Sequence, residues 1–91
     1  MKLEETGLTF EDIKEKVNKY MIETYERMDF LAESAKDQYI YNEKGEKYLD
    51  FYAGIAVNSA GSCNEKVVKA VVDQAQTLMH TFNYPYTIPQ A

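Results

Sequence analysis

The fold of this chain is decided by Glu43-Lys-Gly-Glu-Lys-Tyr-Leu-Asp-Phe-Tyr-Ala-Gly-Ile-Ala-Val-Asn58. Its first residues suit a type I turn from Asn42, with Gly45 in the left-handed conformation, and β-rich runs lie on both sides. The pattern predicts a hairpin and a following extended apolar strand over residues 38–58. Because an isolated hairpin is marginal in water, we expect this one to rest on a helix or on another sheet.

Two amphipathic helices are predicted on either side of the hairpin. Thr9 is a suitable N-cap, and apolar residues recur at spacings of three and four over residues 9–30. The stronger pattern covers residues 64–80, where either Ser62 with Glu65 or Asn64 could supply the cap. Its wide, β-branched face predicts burial against a large body, and comprises Val67, Val68, Val71, Val72, Ala75, Leu78 and Met79.

The remaining segments lack a periodic pattern. Residues 32–37 are interpreted as a connector, and residues 81–91 as a Pro/Tyr-rich extended end, because their two prolines prevent a helix from continuing. Together the elements predict a single partial domain over residues 1–91. Its class is an α+β fragment with an N-terminal helix, a small antiparallel hairpin or sheet, and a second helix.

Composition limits the function classes. The net charge is −5 and the lysines are dispersed among acids, which argues against nucleic acid and against an anionic membrane surface as partners. No signal peptide or membrane-spanning run is recognisable. The single cysteine, Cys63, allows no internal disulfide and fits a reducing compartment. We therefore expect a cytoplasmic protein.

No complete catalytic constellation can be recognised from the residues alone. The four glycines form no phosphate-binding loop, His80 has no partner at metal-ligand spacing, and Cys63 lacks a nearby base. None of the nine lysines is set in an apolar run that would lower its pKa. Asp50 could face a pocket, although an exposed strand acid is the simpler interpretation. We therefore predict no catalytic, cofactor-binding or metal-binding residue in this chain.

Four segments with a joint spacing give a more specific indication. They are Tyr39-Ile-Tyr-Asn-Glu-Lys-Gly-Glu-Lys-Tyr-Leu-Asp-Phe51, Ala53-Gly-Ile-Ala-Val-Asn58, Lys66-Val-Val-Lys-Ala-Val71 and His80-Thr-Phe-Asn-Tyr-Pro-Tyr-Thr-Ile-Pro-Gln90. Over residues 37–91 this order resembles the N-terminal part of class III pyridoxal-phosphate aminotransferases, the acetylornithine, ornithine and 4-aminobutyrate group. The last segment is most similar to the acetylornithine branch.

The resemblance implies a fold-type I enzyme several times longer than this chain, working as a dimer on an amino-acid substrate. In that family the cofactor lysine and the phosphate-binding residues come later in sequence, so pyridoxal phosphate is not expected to bind stably to this chain alone. The implied substrate-binding residues are Ile55, against the substrate side chain, and Tyr86, near the dimer interface. From the residues alone, strand core for Ile55 and packing for Tyr86 are the favoured interpretations, and the resemblance makes the two readings about equal.

One loop departs from the family pattern. The family usually has Gly-His-x-His-Pro where this chain has Gly61-Ser-Cys-Asn-Glu65. Both histidines and the proline are replaced, so the hydrogen bonding of this loop differs.

Two functional hypotheses follow. The first is the N-terminal segment of an aminotransferase that moves an amino group from an amine or ω-amino acid, acetylornithine-like, to a 2-oxo acid, and is catalytically incomplete in this chain. Its partner would be the remainder of the enzyme or a second copy. The alternative is a free-standing, diverged relative that acts as a dimerisation or interaction module. A small-ligand pocket between hairpin and helix is a third option.

Overall fold

The computed structural model describes residues 1–91 and contains one small antiparallel sheet with helices before and after it. The elements in chain order are α1 (Leu3–Thr6), α2 (Phe10–Tyr20), β1 (Ala32–Lys36), β2 (Tyr39–Asn42), β3 (Lys47–Leu49), a turn at Ala53–Ala56, α3 (Glu65–Thr77) and a 3₁₀ turn at Ile88–Gln90. The predicted α+β class is confirmed. No helix is both long enough and apolar enough to cross a bilayer.

The hairpin of β2 and β3 forms around the predicted turn. The Gly45 N–H donates to the Asn42 carbonyl at 3.0 Å, and Gly45 has a φ of 77°. A side chain disfavours this backbone conformation, which explains the glycine. Strand register pairs Tyr39 with Leu49 and Tyr41 with Lys47. Local turn chemistry is therefore sufficient to specify this part of the fold.

The expectation that the hairpin rests on a helix or on another sheet is not met within residues 1–91, where its support is a third strand of the same sheet. Residues 32–36 form β1, which pairs antiparallel with β2, so the predicted connector is wrong here. Ala-Glu-Ser-Ala-Lys has little intrinsic β propensity, which is why the sequence gives no strand signal. The unpaired edge of β2 supplies backbone partners that outweigh this weak preference. A bulge between Ala32 and Ser34 marks the start of the pairing.

Helix α2 begins as predicted and ends early. The Thr9 hydroxyl accepts the Asp12 N–H at 3.1 Å, and the Thr9 N–H donates to the Asp12 carboxylate at 2.8 Å. The helix ends at Tyr20, so the predicted end at Phe30 is wrong. From Met21 to Met28 the apolar residues are exposed, and helices depend mainly on packing of their apolar face. Ile22, for example, is 85% exposed.

The second helical prediction is close to the observed element. Helix α3 covers Glu65–Thr77 within the predicted 64–80, and Asn64 is the cap because its Oδ1 accepts the N–H groups of Lys66 and Val67. Residues 53–58, in contrast, do not extend the hairpin as an apolar strand. They form a left-handed turn, and the predicted strand is wrong there.

The chain encloses no hydrophobic core. Asn42 is the only buried residue, and the apolar face of α3 is open, with Val67, Val68, Val71 and Val72 between 45% and 62% exposed. The three strands of the sheet are the only elements that pack extensively on one another. The body against which α3 was predicted to be buried is therefore not formed by residues 1–91.

Candidate functional site

The candidate site is the turn Ala53–Ala56, which has an unusual backbone. All four residues have positive φ: 49° at Ala53, 59° at Gly54, 59° at Ile55 and 62° at Ala56. This is one turn of left-handed helix. An L-residue in that conformation costs about 1–2 kcal/mol, and a β-branched residue such as Ile55 is an outlier there. Such a turn persists only where its surroundings determine it.

The Asp50 carboxylate binds the backbone at the start of this turn. Its Oδ1 accepts the N–H groups of Tyr52 and of Ala53, both at 2.9 Å, so it fixes the entry to the turn. Its backbone N–H donates to the Gln38 carbonyl at 2.8 Å, next to the start of β2. Asp50 therefore joins the sheet to the turn. From the sequence it was interpreted as an exposed strand acid, although an Asp side chain can accept the backbone N–H two residues on and so form a turn.

The exit of the turn is held by backbone groups. The Ala53 carbonyl accepts the Asn58 N–H at 3.0 Å, and the Tyr52 carbonyl accepts the Ala56 N–H at 3.2 Å. The Ser59 hydroxyl donates to the Ala56 carbonyl at 2.7 Å. Hydrogen bonds from both ends thus enclose the two central residues of the turn.

Both predicted substrate-facing residues project from the surface of the chain. The side chain of Ile55 leaves the residue 74% exposed, and Tyr86 is fully exposed in the C-terminal segment. The chain has no buried apolar residue, so this exposure does not distinguish a substrate contact from packing against the remainder of the enzyme. The chain does not by itself form a pocket around them, and their contact with substrate stays a prediction.

Surface hollows lie elsewhere. A hollow of about 760 Å³ separates α2 from the chain that returns over residues 23–31, and Tyr52 lies at its edge. A second hollow, between the α1–α2 region and the hairpin turn, is lined mainly by polar and charged residues, among them Glu33 and Glu43. Neither hollow includes Ile55 or Tyr86. The first hollow is lined mostly by apolar residues but lies between α2 and residues 23–31, so it is not the predicted ligand pocket between hairpin and helix.

The loop that departs from the family pattern is closely fitted to the sheet. Ser62 and Asp37 exchange two backbone hydrogen bonds at 2.8 and 2.9 Å. Gly61 has a φ of 82°, and a Cβ there would lie 3.2 Å from the Asp37 Cα, so a side chain would displace the strand connection. The Lys36 Nζ donates to the Cys63 carbonyl at 3.2 Å. Asn64 then caps α3. The loop is therefore held by hydrogen bonds that require no histidine.

The lysines of the chain do not suit the anchoring of an aldehyde cofactor. An amine that forms a Schiff base readily has a lowered pKa, which requires desolvation or a neighbouring cation. Eight of the nine lysines are exposed. Lys14 is partly covered, but the carboxylates of Glu11 and Asp29 raise its pKa. The lysines of residues 1–91 therefore lack the surroundings that a lysine needs to hold pyridoxal phosphate as a Schiff base.

Comparison with known proteins identifies one family. The family model described as "Aminotransferase class-III" matches residues 20–90. Among curated proteins, an acetylornithine aminotransferase of Methanocaldococcus jannaschii is 49% identical over 72 residues. That match covers 79% of this chain and 18% of the relative. The chain thus spans about a fifth of the length of the curated relatives that it matches.

Solved structures agree on the fold. An ornithine aminotransferase from Plasmodium yoelii superposes with a TM-score of 0.82 at 23% identity, over 90% of this chain and 22% of that chain. An acetylornithine aminotransferase from Elizabethkingia anophelis gives a TM-score of 0.81 at 24% identity, over 87% of this chain and 20% of that chain. The three-stranded sheet and its helices are therefore an arrangement that also occurs within chains about five times longer.

Proposed function

Because the chain belongs to the class III aminotransferase family, we propose that residues 1–91 are the N-terminal segment of an enzyme that transfers an amino group from an amine or ω-amino acid to a 2-oxo acid. The donor we propose is acetylornithine-like. The observation that carries this choice is the 49% identity to a protein named acetylornithine aminotransferase. The chain itself is catalytically incomplete.

The family is dependent on pyridoxal phosphate. In amino-group transfer this cofactor acts as an electron sink, while the protein supplies binding and orientation. The exposed or ion-paired lysines of residues 1–91 support the proposal that the cofactor is anchored by residues outside this chain. What this segment contributes is a wall of the substrate site.

We assign that wall to Ile55, on the left-handed turn, with Tyr86 as a second aromatic surface. The observation that supports the assignment is the resemblance of Ala53-Gly-Ile-Ala-Val-Asn58 to the family, and the exposure of both side chains leaves them free to make such contacts. An exposed aliphatic side chain on a strained turn is suited to contact the methylene groups of an ω-amino donor.

The partner of this segment is the remainder of the aminotransferase or a second copy of the chain. The open apolar face of α3 supports this, because a contiguous exposed apolar surface marks an interaction site. The cytoplasmic location expected from the sequence stays a prediction.

The test uses the protein expressed from its complete reading frame with pyridoxal phosphate. We expect amino transfer from N-acetylornithine to a 2-oxo acid, and a borohydride-trapped lysine adduct that peptide mapping places outside residues 1–91. The matched control is the 91-residue chain alone, which should give no stoichiometric adduct at a single lysine. A stoichiometric adduct at one lysine of residues 1–91 would contradict the proposal.

The open face of α3 also favours the second candidate, an interaction module without catalysis. The same preparation separates the two. A complete protein that self-associates but transfers no amino group from any ω-amino donor would support the module and exclude the enzyme.

A further inference from the structure

We infer that Asp50 is a positioning residue for the substrate site, acting through the left-handed turn that carries Ile55. The inference deepens the proposed function and rests on it wherever Ile55 is said to meet substrate. The hydrogen bonds of Asp50 are observed in residues 1–91 independently of that function. Asp50 itself lies three residues before the turn and touches no substrate in this proposal.

The left-handed backbone sets the direction in which Ile55 points. Reversal of φ from negative to positive redirects the Cα–Cβ bond relative to the chain, so the side chain leaves the backbone on a different side. With φ and ψ of 59° and 54° at Ile55, its exit is fixed by the left-handed turn and differs from that of a strand residue. The position of this side chain is thus determined by a backbone state that Ile55 itself disfavours.

Hydrogen bonds maintain this backbone state. Within residues 1–91 apolar packing contributes little to the turn, because Ile55 and the following Val57 are 74% and 79% exposed. Hydrogen bonds are the main contacts that the chain itself supplies to the turn. Of the side chains involved, Asp50 alone makes two bonds to the N-terminal end of the turn while its own backbone is bonded to residue Gln38 beside the sheet.

Loss of the Asp50 hydrogen bonds is expected to change the preference for donor length. If Asp50 loses its acceptor, the turn can relax to right-handed or extended conformations, and Ile55 moves away from its fixed place. A donor with a long side chain then loses apolar contact, whereas a short donor that does not reach Ile55 is unaffected. Asp50 should therefore influence the discrimination between long and short donors more than the chemical step.

The test compares Asp50→Ala, Asp50→Asn and Ile55→Ala in the protein expressed from its complete reading frame. We expect Asp50→Ala to lower kcat/KM for N-acetylornithine about tenfold, mainly through KM, which is the scale of a lost methylene contact. The value for alanine should stay within about twofold. Asp50→Asn keeps an oxygen acceptor and should restore most of the loss. Asp73→Ala, on the exposed side of α3, is the matched control.

Two further measurements separate positioning from general destabilisation. In the double variant, Asp50→Ala should add little to Ile55→Ala, because both act on the same contact. Hydrogen exchange followed by mass spectrometry should show faster exchange in peptide 50–58 of Asp50→Ala and unchanged exchange in the hairpin.

The outcomes distinguish this inference from the proposed function. A wild-type protein without aminotransferase activity overturns the proposed function, while hydrogen exchange still reports whether Asp50 holds the turn. An active wild type in which Asp50→Ala and Ile55→Ala are additive, or in which peptide 50–58 is unchanged, overturns the inference about Asp50 alone.

Discussion

Asn42 shows how one buried polar side chain organises the hairpin. It is 6% exposed, and its Oδ1 accepts the N–H groups of Lys44 and Glu46 at 3.0 and 2.9 Å. Its Nδ2 donates to the Glu46 carboxylate at 2.6 Å. Buried polar groups are tolerated when they are bonded in this way. The turn therefore depends on the side chain of Asn42 as well as on the backbone conformation of Gly45.

We expect Asn42→Ala to destabilise the protein by about 1–3 kcal/mol, because two turn N–H groups and one carboxylate lose their partner. The measurement is the free energy of urea unfolding of the protein expressed from its complete reading frame. Asn18→Ala, on the exposed side of α2, is the control and should change that free energy by less than about 0.5 kcal/mol. Equal stabilities of the two variants would contradict the role assigned to Asn42.

Glu46 provides a prediction on pH. The hydrogen bond from Asn42 lowers the pKa of the Glu46 carboxyl, and a second hydrogen bond, from the Tyr48 hydroxyl at 3.2 Å, acts in the same direction. A lowered folded-state pKa means that the stabilisation is complete above the unfolded pKa of about 4.3 and is lost as pH falls through the lower folded value. The ionised form of Glu46 therefore favours the folded hairpin.

The expected result is a loss of stability as pH falls below about 4.3, the unfolded pKa, that Glu46→Gln removes in part. Urea unfolding of both proteins as a function of pH measures it. Glu15→Gln, at an exposed position of α2, is the control and should follow the wild type. If Glu46→Gln retains the full wild-type pH dependence over this range, the assignment to Glu46 is wrong.

At the scale of elements, the predicted parts are those whose signal is local. The hairpin turn follows from Asn42 and Gly45, and the start of α3 follows from a cap that the sequence already offered in Asn64. Strand β1 could not be predicted, because its pairing comes from the edge of β2 and its own residues are weak strand formers. The end of α2 was missed because apolar periodicity persists beyond Tyr20, although the apolar residues from Met21 to Met28 are exposed.

The candidate site was likewise predictable in one part and not in another. Residue Ile55 was found through a resemblance in sequence order, whereas the left-handed backbone beneath it has no signal in composition or period. Only glycine favours this conformation intrinsically, and the turn contains a single glycine among four residues. The small side chains suggested a strand open to close packing. The hydrogen bonds of Asp50, which act over three residues, instead accompany a left-handed turn.

Helix α3 carries the next prediction. Val71 lies on the open apolar stripe and is 62% exposed in this chain. If the remainder of the enzyme covers that stripe, Val71→Lys places an unpaired charge in an apolar contact and should destabilise the complete protein by at least about 2 kcal/mol. Urea unfolding measures the change. Gln76→Lys, outside the stripe on the same helix, is the matched control, and equal effects of the two lysines would show that the stripe faces solvent.

At the scale of the whole molecule, the chain is more extended than a compact domain of its length. Its accessible surface is 8443 Å², whereas a compact protein of its mass exposes about 5,400 Å². Its radius of gyration is 17.1 Å, against about 12 Å for a compact domain of 91 residues. Since burial of apolar surface is the main force that favours folding, residues 1–91 lack the largest stabilising contribution.

The 91-residue chain on its own should therefore unfold without a cooperative transition and bind a dye for apolar surface strongly, because conformational entropy outweighs the burial available to it. Thermal unfolding followed by circular dichroism, together with dye fluorescence, measures this. Added to a separately expressed remainder of the enzyme, the chain should regain a cooperative transition and lose dye binding. A cooperative monomer with little dye binding in sedimentation experiments would contradict this expectation. A cooperative dimer of the 91-residue chain would identify a second copy as the occupant of the α3 stripe.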